Sequence, residues 1–334
     1  MSRPKFLPDN FTLCLIATVL TASLLPCRGP VATGFGWLTN FAIGLLFFLH
    51  GAKLSREAVV AGATHWRLHL LVLLSTFALF PLLGLALKPL LSPLVTPALY
   101  TGVLFLCTLP STVQSSIAFT SMAKGNVPAA VCSASASSLI GIFLTPLLAG
   151  LVVSSHATGA FSLGAIWSIV LLLLVPFIAG QVLRPLIGKW VDRHRSILRY
   201  VDQGSILLVV YTAFSEAVIQ GLWHSITWLA LGGLVVTCAV LLAIALVLTS
   251  VVARRCGFSR ADQITIVFCG SKKSLASGIA MAKVMFVGHA VGAIVLPLML
   301  FHQIQLMTCA VLAQRWGARK LDGATPAGLI PVKH

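Results

Sequence analysis

Residues 268 to 275 read Phe268-Cys269-Gly270-Ser271-Lys272-Lys273-Ser274-Leu275. Two adjacent lysines stand between the apolar run 264–268 and the small-residue run 276–282. The stretch from Gln263 to Val287 is long enough to cross a bilayer, which takes about 20 residues at a rise of about 1.5 Å each. A charge at mid-membrane depth costs at least ~2.5–3.5 kcal/mol unless it faces protein, water or a counter-charge. The pair therefore reads as part of a functional site inside a membrane span.

The surrounding chain agrees. Its 334 residues are 58% hydrophobic and only 9% charged, with a mean hydropathy of +1.00. A soluble domain carries about 25% charged residues. The net charge is +16, from 23 basic and 7 acidic residues. In a soluble protein that excess points to nucleic acid. Here the basic residues fall in short loops between apolar runs, so they report topology, and the expected partner is the lipid bilayer rather than nucleic acid. Eight scattered cysteines form no Cys-x-x-Cys and no zinc-type Cys/His spacing. They read as small apolar packing residues, with no metal centre or other cofactor implied. Arg3 and Lys5 precede the apolar stretch 11–25 as in a signal peptide, but no Ala-x-Ala site follows, so a retained first span is expected.

Ten spans are predicted, at 11–27, 37–53, 68–88, 97–121, 127–154, 162–183, 203–221, 226–253, 261–288 and 290–314. Of the 23 lysines and arginines, 18 fall in the N-terminus, the even-numbered loops and the C-terminal tail. The odd-numbered loops hold only Arg28 and Lys88, and the other three, Lys272, Lys273 and Lys283, lie in the ninth span. This asymmetry predicts an even number of spans with both termini cytoplasmic. Ten divides into five and five, and an odd number per half inverts the second half, as in inverted-repeat transporters. The implied units are residues 1–158, residues 159–316, and a cytoplasmic tail, 317–334. A short internal match supports the division. Thr112-x-x-Ser115 followed by Met122-Ala123-Lys124 recurs as Ser271-x-x-Ser274 followed by Met281-Ala282-Lys283.

The matched segments carry the polar chemistry. Span four has Pro110, which removes a backbone donor and breaks a helix, and then Ser111, Thr112, Gln114, Ser115 and Ser116. Span nine has Gly270 and then Ser271, Lys272, Lys273 and Ser274. Paired interruptions in corresponding spans point to a midplane binding site, because unwound backbone exposes N–H and C=O groups that need partners. Kinks filled by Ser/Thr back-bonding are the competing reading. Span five places Ser133, Ser135, Ser137 and Ser138 among alanines. They serve helix packing, or line a cavity beside Gln114. Glu216 is the one acid within the apolar run 206–219. It either pairs with Lys272 or Lys273 or reaches the outer interface near Trp223. His50, His302, Gln303 and Gln305 are further polar points in apolar surroundings; a lone histidine in a span reads as a hydrogen-bonded structural residue, with a proton relay as the alternative.

Four stretches carry a resemblance: Leu45–Glu57 (LLFFLHGAKLSRE), Leu109–Ser138 (LPSTVQSSIAFTSMAKGNVPAAVCSASASS), Ile206–Glu216 (ILLVVYTAFSE) and Asp262–Ala276 (DQITIVFCGSKKSLA). Through them the chain resembles the bile acid:sodium symporter superfamily, and within it the SBF-like branch of YfeH-type bacterial transporters. The resemblance implies an all-α polytopic membrane protein of ten transmembrane helices in two inverted five-helix repeats, with helices 4 and 9 broken and crossing. It also implies a panel of helices 1, 2, 6 and 7 against a core of the others. The activity implied is transport of organic anions with sodium by alternating access. Sodium ligands would fall at Ser115, Ser116 and hydroxyls among Ser133–Ser138. The sodium-binding branch also has a glutamate and a glutamine–asparagine pair in helix 9, which here correspond to a position near Phe268 and to Lys272-Lys273. Two ammonium groups at that place would repel the cation, at ~4 kcal/mol per contact at ~4 Å and an effective dielectric of ~20.

The expected function is secondary transport of a small organic anion across an inner membrane, with Na+ or H+ as the coupling ion. A cation/proton exchanger, a sodium symporter of the same fold and a non-transporting sensor are the alternatives. His-Glu-x-x-His, Gly-x-Ser-x-Gly and paired-aspartate motifs do not occur, so catalysis is not expected. Substrate identity and oligomeric state are not written in the spans.

Overall fold

A computed structural model describes residues 10–53, 65–153, 163–221, 223, 226–286 and 291–318. Among them the secondary structure is helical throughout, without strands. The long elements are α1 (Asn10–Leu24), α2 (Gly29–Lys53), α3 (Trp66–Ala86), α4 (Pro97–Thr108), α5 (Val113–Met122), α6 (Val127–Val153), α7 (Leu163–Arg193), α8 (Arg195–Ile219), α9 (Trp228–Arg255), α10 (Arg260–Gly270), α11 (Leu275–Met285) and α12 (Val291–Ala318). By length and composition α2, α3, α6, α8, α9 and α12 can each cross a membrane. The pair α4–α5, bent by 65° at its break, adds a seventh candidate. α1 has 15 residues and α10 and α11 have 11 each, too few to cross alone. Large apolar side chains cover the outside, among them Trp37, Phe41, Leu186, Trp228 and Leu229. Water does not tolerate such a continuous apolar surface, whereas acyl chains do. The protein is a multi-pass membrane protein.

Three helices extend well past the spans that hydropathy suggested, among them α8, which begins at Arg195 rather than 203. α2 begins at Gly29 rather than 37, and α7 continues to Arg193 through Pro176 and Pro185. Neighbouring helices can re-satisfy the backbone groups that such prolines free. Pro110 acts differently. Leu109 before it is extended (φ −74°, ψ 153°), as the ring of a following proline requires, and α4 stops at Thr108. At the other break α10 ends on Gly270, and Ser274 starts α11 by accepting a hydrogen bond from Ser277 N–H at 3.3 Å. α3 holds a third irregularity, a π-helical turn over Ser75–Leu79. Such turns free carbonyl oxygens from the regular ladder.

The helices pack in two groups. α2 lies along α7 and α8, and α1 lies on α8. Helices α3–α6 and α9–α12 pack among themselves, and α7 and α8 join the groups, α7 by touching α6 and α11 and α8 by touching α11 and α12. Lipid supplies no hydrophobic drive between helices, so close backbone approach has to hold them. Gly51 and Gly180 provide it: a Cβ on Gly51 would stand 2.1 Å from the Phe177 carbonyl oxygen, and one on Gly180 2.0 Å from that of Phe48.

Candidate functional site

The two helix breaks meet. Ser274 N–H donates to the Pro110 carbonyl at 2.9 Å, and the Thr112 hydroxyl donates to the Lys273 carbonyl at 2.9 Å. Ser111 Oγ donates to Cys269 O at 2.5 Å, and Ser116 Oγ to Phe268 O at 3.0 Å. Each break thus satisfies polar backbone of the other, which answers the requirement that unwound backbone sets inside a membrane. Gln305 of α12 clamps the junction. Its Oε1 accepts from Lys273 N–H and its Nε2 donates to Lys273 O, both at 2.9 Å.

Both lysines are fully buried. Lys273 Nζ donates to three carbonyl oxygens, Thr76 in the π-helical turn at 2.8 Å, Cys107 at 2.9 Å and Leu109 at 2.8 Å. The Phe80 ring lies 4.2 Å from it. Three acceptors need three N–H donors, and only the ammonium form has three. Lys272 Nζ donates to Ser115 O at 2.8 Å and lies 3.8 Å from the Phe119 ring centroid and 5.5 Å from that of Phe268. Carbonyl dipoles and ring faces replace the water that the two Nζ groups give up.

A cavity of about 320 Å³ opens beside the junction. The first turns of α5 (Thr112, Gln114, Ser115) and α11 (Ser274, Leu275, Ala276) form one wall, with Ser138 and His302. His50, Arg199, Asp202 and Gln203 line it from the α2–α8 side. Two helix N-termini, each carrying about half a positive charge, therefore border one space. Ser115 Oγ is buried there without a hydrogen-bond partner.

The structure sorts the residues singled out in the sequence. Thr112, Gln114, Ser115 and Ser274 line the cavity. Lys272 and Lys273 do not; they sit behind its wall, where Lys272 Nζ donates to the carbonyl of Ser115. Ser116 and Ser271 hydroxyls bond to carbonyls, the latter to Val267 O at 2.6 Å. Ser133 Oγ lies 2.7 Å from His69 Nδ1, and Ser137 Oγ accepts from Ser111 N–H at 3.0 Å. Ser135 is half-buried outside the lining. Pro110 and Gly270 end their helices as expected. Glu216 is elsewhere. It lines a second cavity of about 460 Å³ with Lys283, Thr212, Thr33 and Cys27. Its expected pairing with Lys272 or Lys273 is corrected: the nearby cation is Lys283, whose Nζ donates to Thr212 Oγ1 at 2.9 Å. Five polar lining residues, His50, Arg199, Asp202, Gln203 and His302, had no place in the expected site. Arg199 counted only as a loop charge, and Asp202 lay just before the span that α8 extends by eight residues.

Of the oxygens expected around a sodium ion, the Ser116, Ser133 and Ser137 hydroxyls have protein partners, the Cys107 and Leu109 carbonyls accept from Lys273 Nζ, and Ser115 Oγ has none.

The model of the SBF-like CPA transporter family matches residues 9–318. The chain belongs to that family. It is 70% identical over 333 residues to "Uncharacterized protein PA2026" of Pseudomonas aeruginosa, covering 100% of each chain. It is 59% identical over 308 residues to "Putative symporter YfeH" of Escherichia coli, 92% of each. It is 30% identical over 280 residues to "Sodium/bile acid cotransporter 7" of Mus musculus, 82% of each. As a member of the SBF-like family, this membrane protein is a transporter. The break junction and its cavity lie wholly within the matched region.

Proposed function

We propose that the chain is a secondary transporter that carries a small organic anion across the inner membrane by alternating access, without sodium at the helix junction. The observation that carries this reading is the convergence of two helix N-termini on one cavity, with two buried ammonium groups behind them. A carboxylate or sulfonate there accepts backbone N–H bonds from α5 and α11 and neutralises the charge of Lys272 and Lys273. Lys273 holds the place of a permanently bound cation: its Nζ takes the carbonyl ligands that a sodium ion would use. The relatives named sodium/bile acid cotransporters support an organic anion as cargo.

The same reading takes the chain as ten spans in two inverted repeats, 1–158 and 159–316, with α4–α5 and α10–α11 as the broken fourth and ninth spans. The tail 317–334 and both termini are then cytoplasmic. Residues 319–334 lie outside the described residues. The grouping of α1, α2, α7 and α8 against the rest supports a panel that rocks against a core, with the substrate between.

Protein reconstituted in proteoliposomes should take up labelled taurocholate equally with Na+ or N-methylglucamine outside. The double variant Gln114→Leu/Ser115→Ala should raise KM at least tenfold, about 1.4 kcal/mol of binding. Absence of flux with taurocholate and other carboxylates and sulfonates overturns the cargo, and uptake that requires sodium overturns the ion-free junction.

A further inference from the structure

The α2–α8 wall of the cavity holds a charge cluster that anion binding does not explain. Asp202 is 6% exposed, and its Oδ2 is ion-paired with Lys53 of α2. Its Oδ1 is buried with no hydrogen-bond partner. A buried carboxylate oxygen left without a donor is costly, so the cluster lacks one. His50 lines the same cavity. Its Nδ1 lies 2.7 Å from the Leu46 carbonyl oxygen. A carbonyl only accepts, so Nδ1 carries the hydrogen and Nε2 keeps the lone pair. Asp202 is near enough to act electrostatically on the ring, and both side chains line the cavity.

We propose that His50, backed by Asp202, is the binding site of a coupled proton. Nε2 takes the proton from cavity water, giving the imidazolium, and returns it to water when the cavity faces the other side. No other bond forms or breaks. The inference rests on the transporter reading and supplies the coupling ion that the lysine junction displaces. Lys273 is a poor carrier, since all three of its N–H groups are bound to carbonyls. The charged and titratable groups facing His50 are Lys53 on α2, Arg199 and Asp202 on α8, and His302 on α12. Arg184 of α7 adjoins them, donating to Ala52 O and lying 3.6 Å from Asp192. Burial opposes a further positive charge first, Lys53, Arg184 and Arg199 oppose it too, and Asp202 and a bound anion favour it. Proton and monovalent anion then cross together, with no net charge moved.

The full chain in nanodiscs, labelled with 15N-histidine, tests the site without any substrate. One ring should carry its hydrogen on Nδ1 at high pH and gain the second on Nε2 as the pH falls. That signal should vanish in His50→Gln. Its midpoint should move by at least ~1 pH unit in Lys53→Met/Asp202→Asn, which removes the ion pair whole. A ring that stays neutral throughout, or a midpoint indifferent to the double variant, overturns the proposal. Proteoliposomes test the coupling, with labelled taurocholate as probe. The ratio of pH-driven accumulation to equal-pH exchange should fall at least tenfold in His50→Gln, and an unchanged ratio overturns the proposal. A wild type that moves no taurocholate in either mode refutes the cargo, while the titration still decides the proton site.

Discussion

Replacing Lys273 by methionine keeps most of the side-chain volume and removes the charge. Three carbonyl oxygens, of Thr76, Cys107 and Leu109, then lose donors at 2.8–2.9 Å. Hydrogen bonds to a charged group contribute ~1.5–3 kcal/mol each, so the gross loss is ~5–9 kcal/mol. The variant also escapes the cost of burying an ammonium, several kcal/mol. The expected net loss is ~3–5 kcal/mol, the range for breaking a buried ionic contact from one side. Lys273→Ala should lose more, but it leaves an open cradle of three carbonyls at the break. Sodium at a hundred times its dissociation constant would return about 2.7 kcal/mol there. The assay is thermal unfolding in detergent or nanodiscs, with NaCl against N-methylglucamine chloride. Wild type should unfold at one temperature in both salts, and Lys273→Ala should be stabilised by sodium. Wild type stabilised by sodium, or a Lys273→Met variant within 1 kcal/mol of wild type, would refute the account of Lys273 as a resident cation.

Gln305→Leu removes both clamps on the Lys273 backbone and should cost ~2–3 kcal/mol of stability, read by thermal unfolding. Gly180→Val drives a side chain into the Phe48 carbonyl and should separate α2 from α7, with a loss of ~1–3 kcal/mol or failure to insert, read by yield and size-exclusion profile. Glu216→Gln should leave the unfolding temperature of the lysine junction's variants unchanged in double-mutant cycles with Lys273→Met, because Glu216 lines the other cavity. A coupling above ~0.5 kcal/mol there would restore the pairing expected from the sequence.

Hydropathy alone located most helices, because a bilayer demands long apolar segments whatever the packing. It misjudged the polar ends. α8 begins at Arg195, where alternating charged and apolar residues conceal a helix that continues past the hydrocarbon. Pro110 and the Gly270–Ser274 stretch were legible as breaks, since proline and clustered polar residues disrupt a helix by local chemistry. That the breaks meet was not. The carbonyls that hold Lys273 belong to Thr76, Cys107 and Leu109, whose identities carry no sign of the role; a backbone oxygen leaves no mark in a sequence. Gln305 was visible only as an amide among apolar residues.

The sequence by itself determined a multi-pass transporter with an obligatory charge problem at Lys272 and Lys273, because composition and local propensity act residue by residue. Only the tertiary structure decided how the problem is solved. It turned both Nζ groups away from the cavity, into carbonyls and aromatic rings, and left helix N-termini to border it. It separated Glu216 from the lysines and brought His50, Asp202 and Arg199 to the opposite wall. Those assignments depend on which faces of distant helices meet, and a charge's partner is set by distance in space rather than by position along the chain.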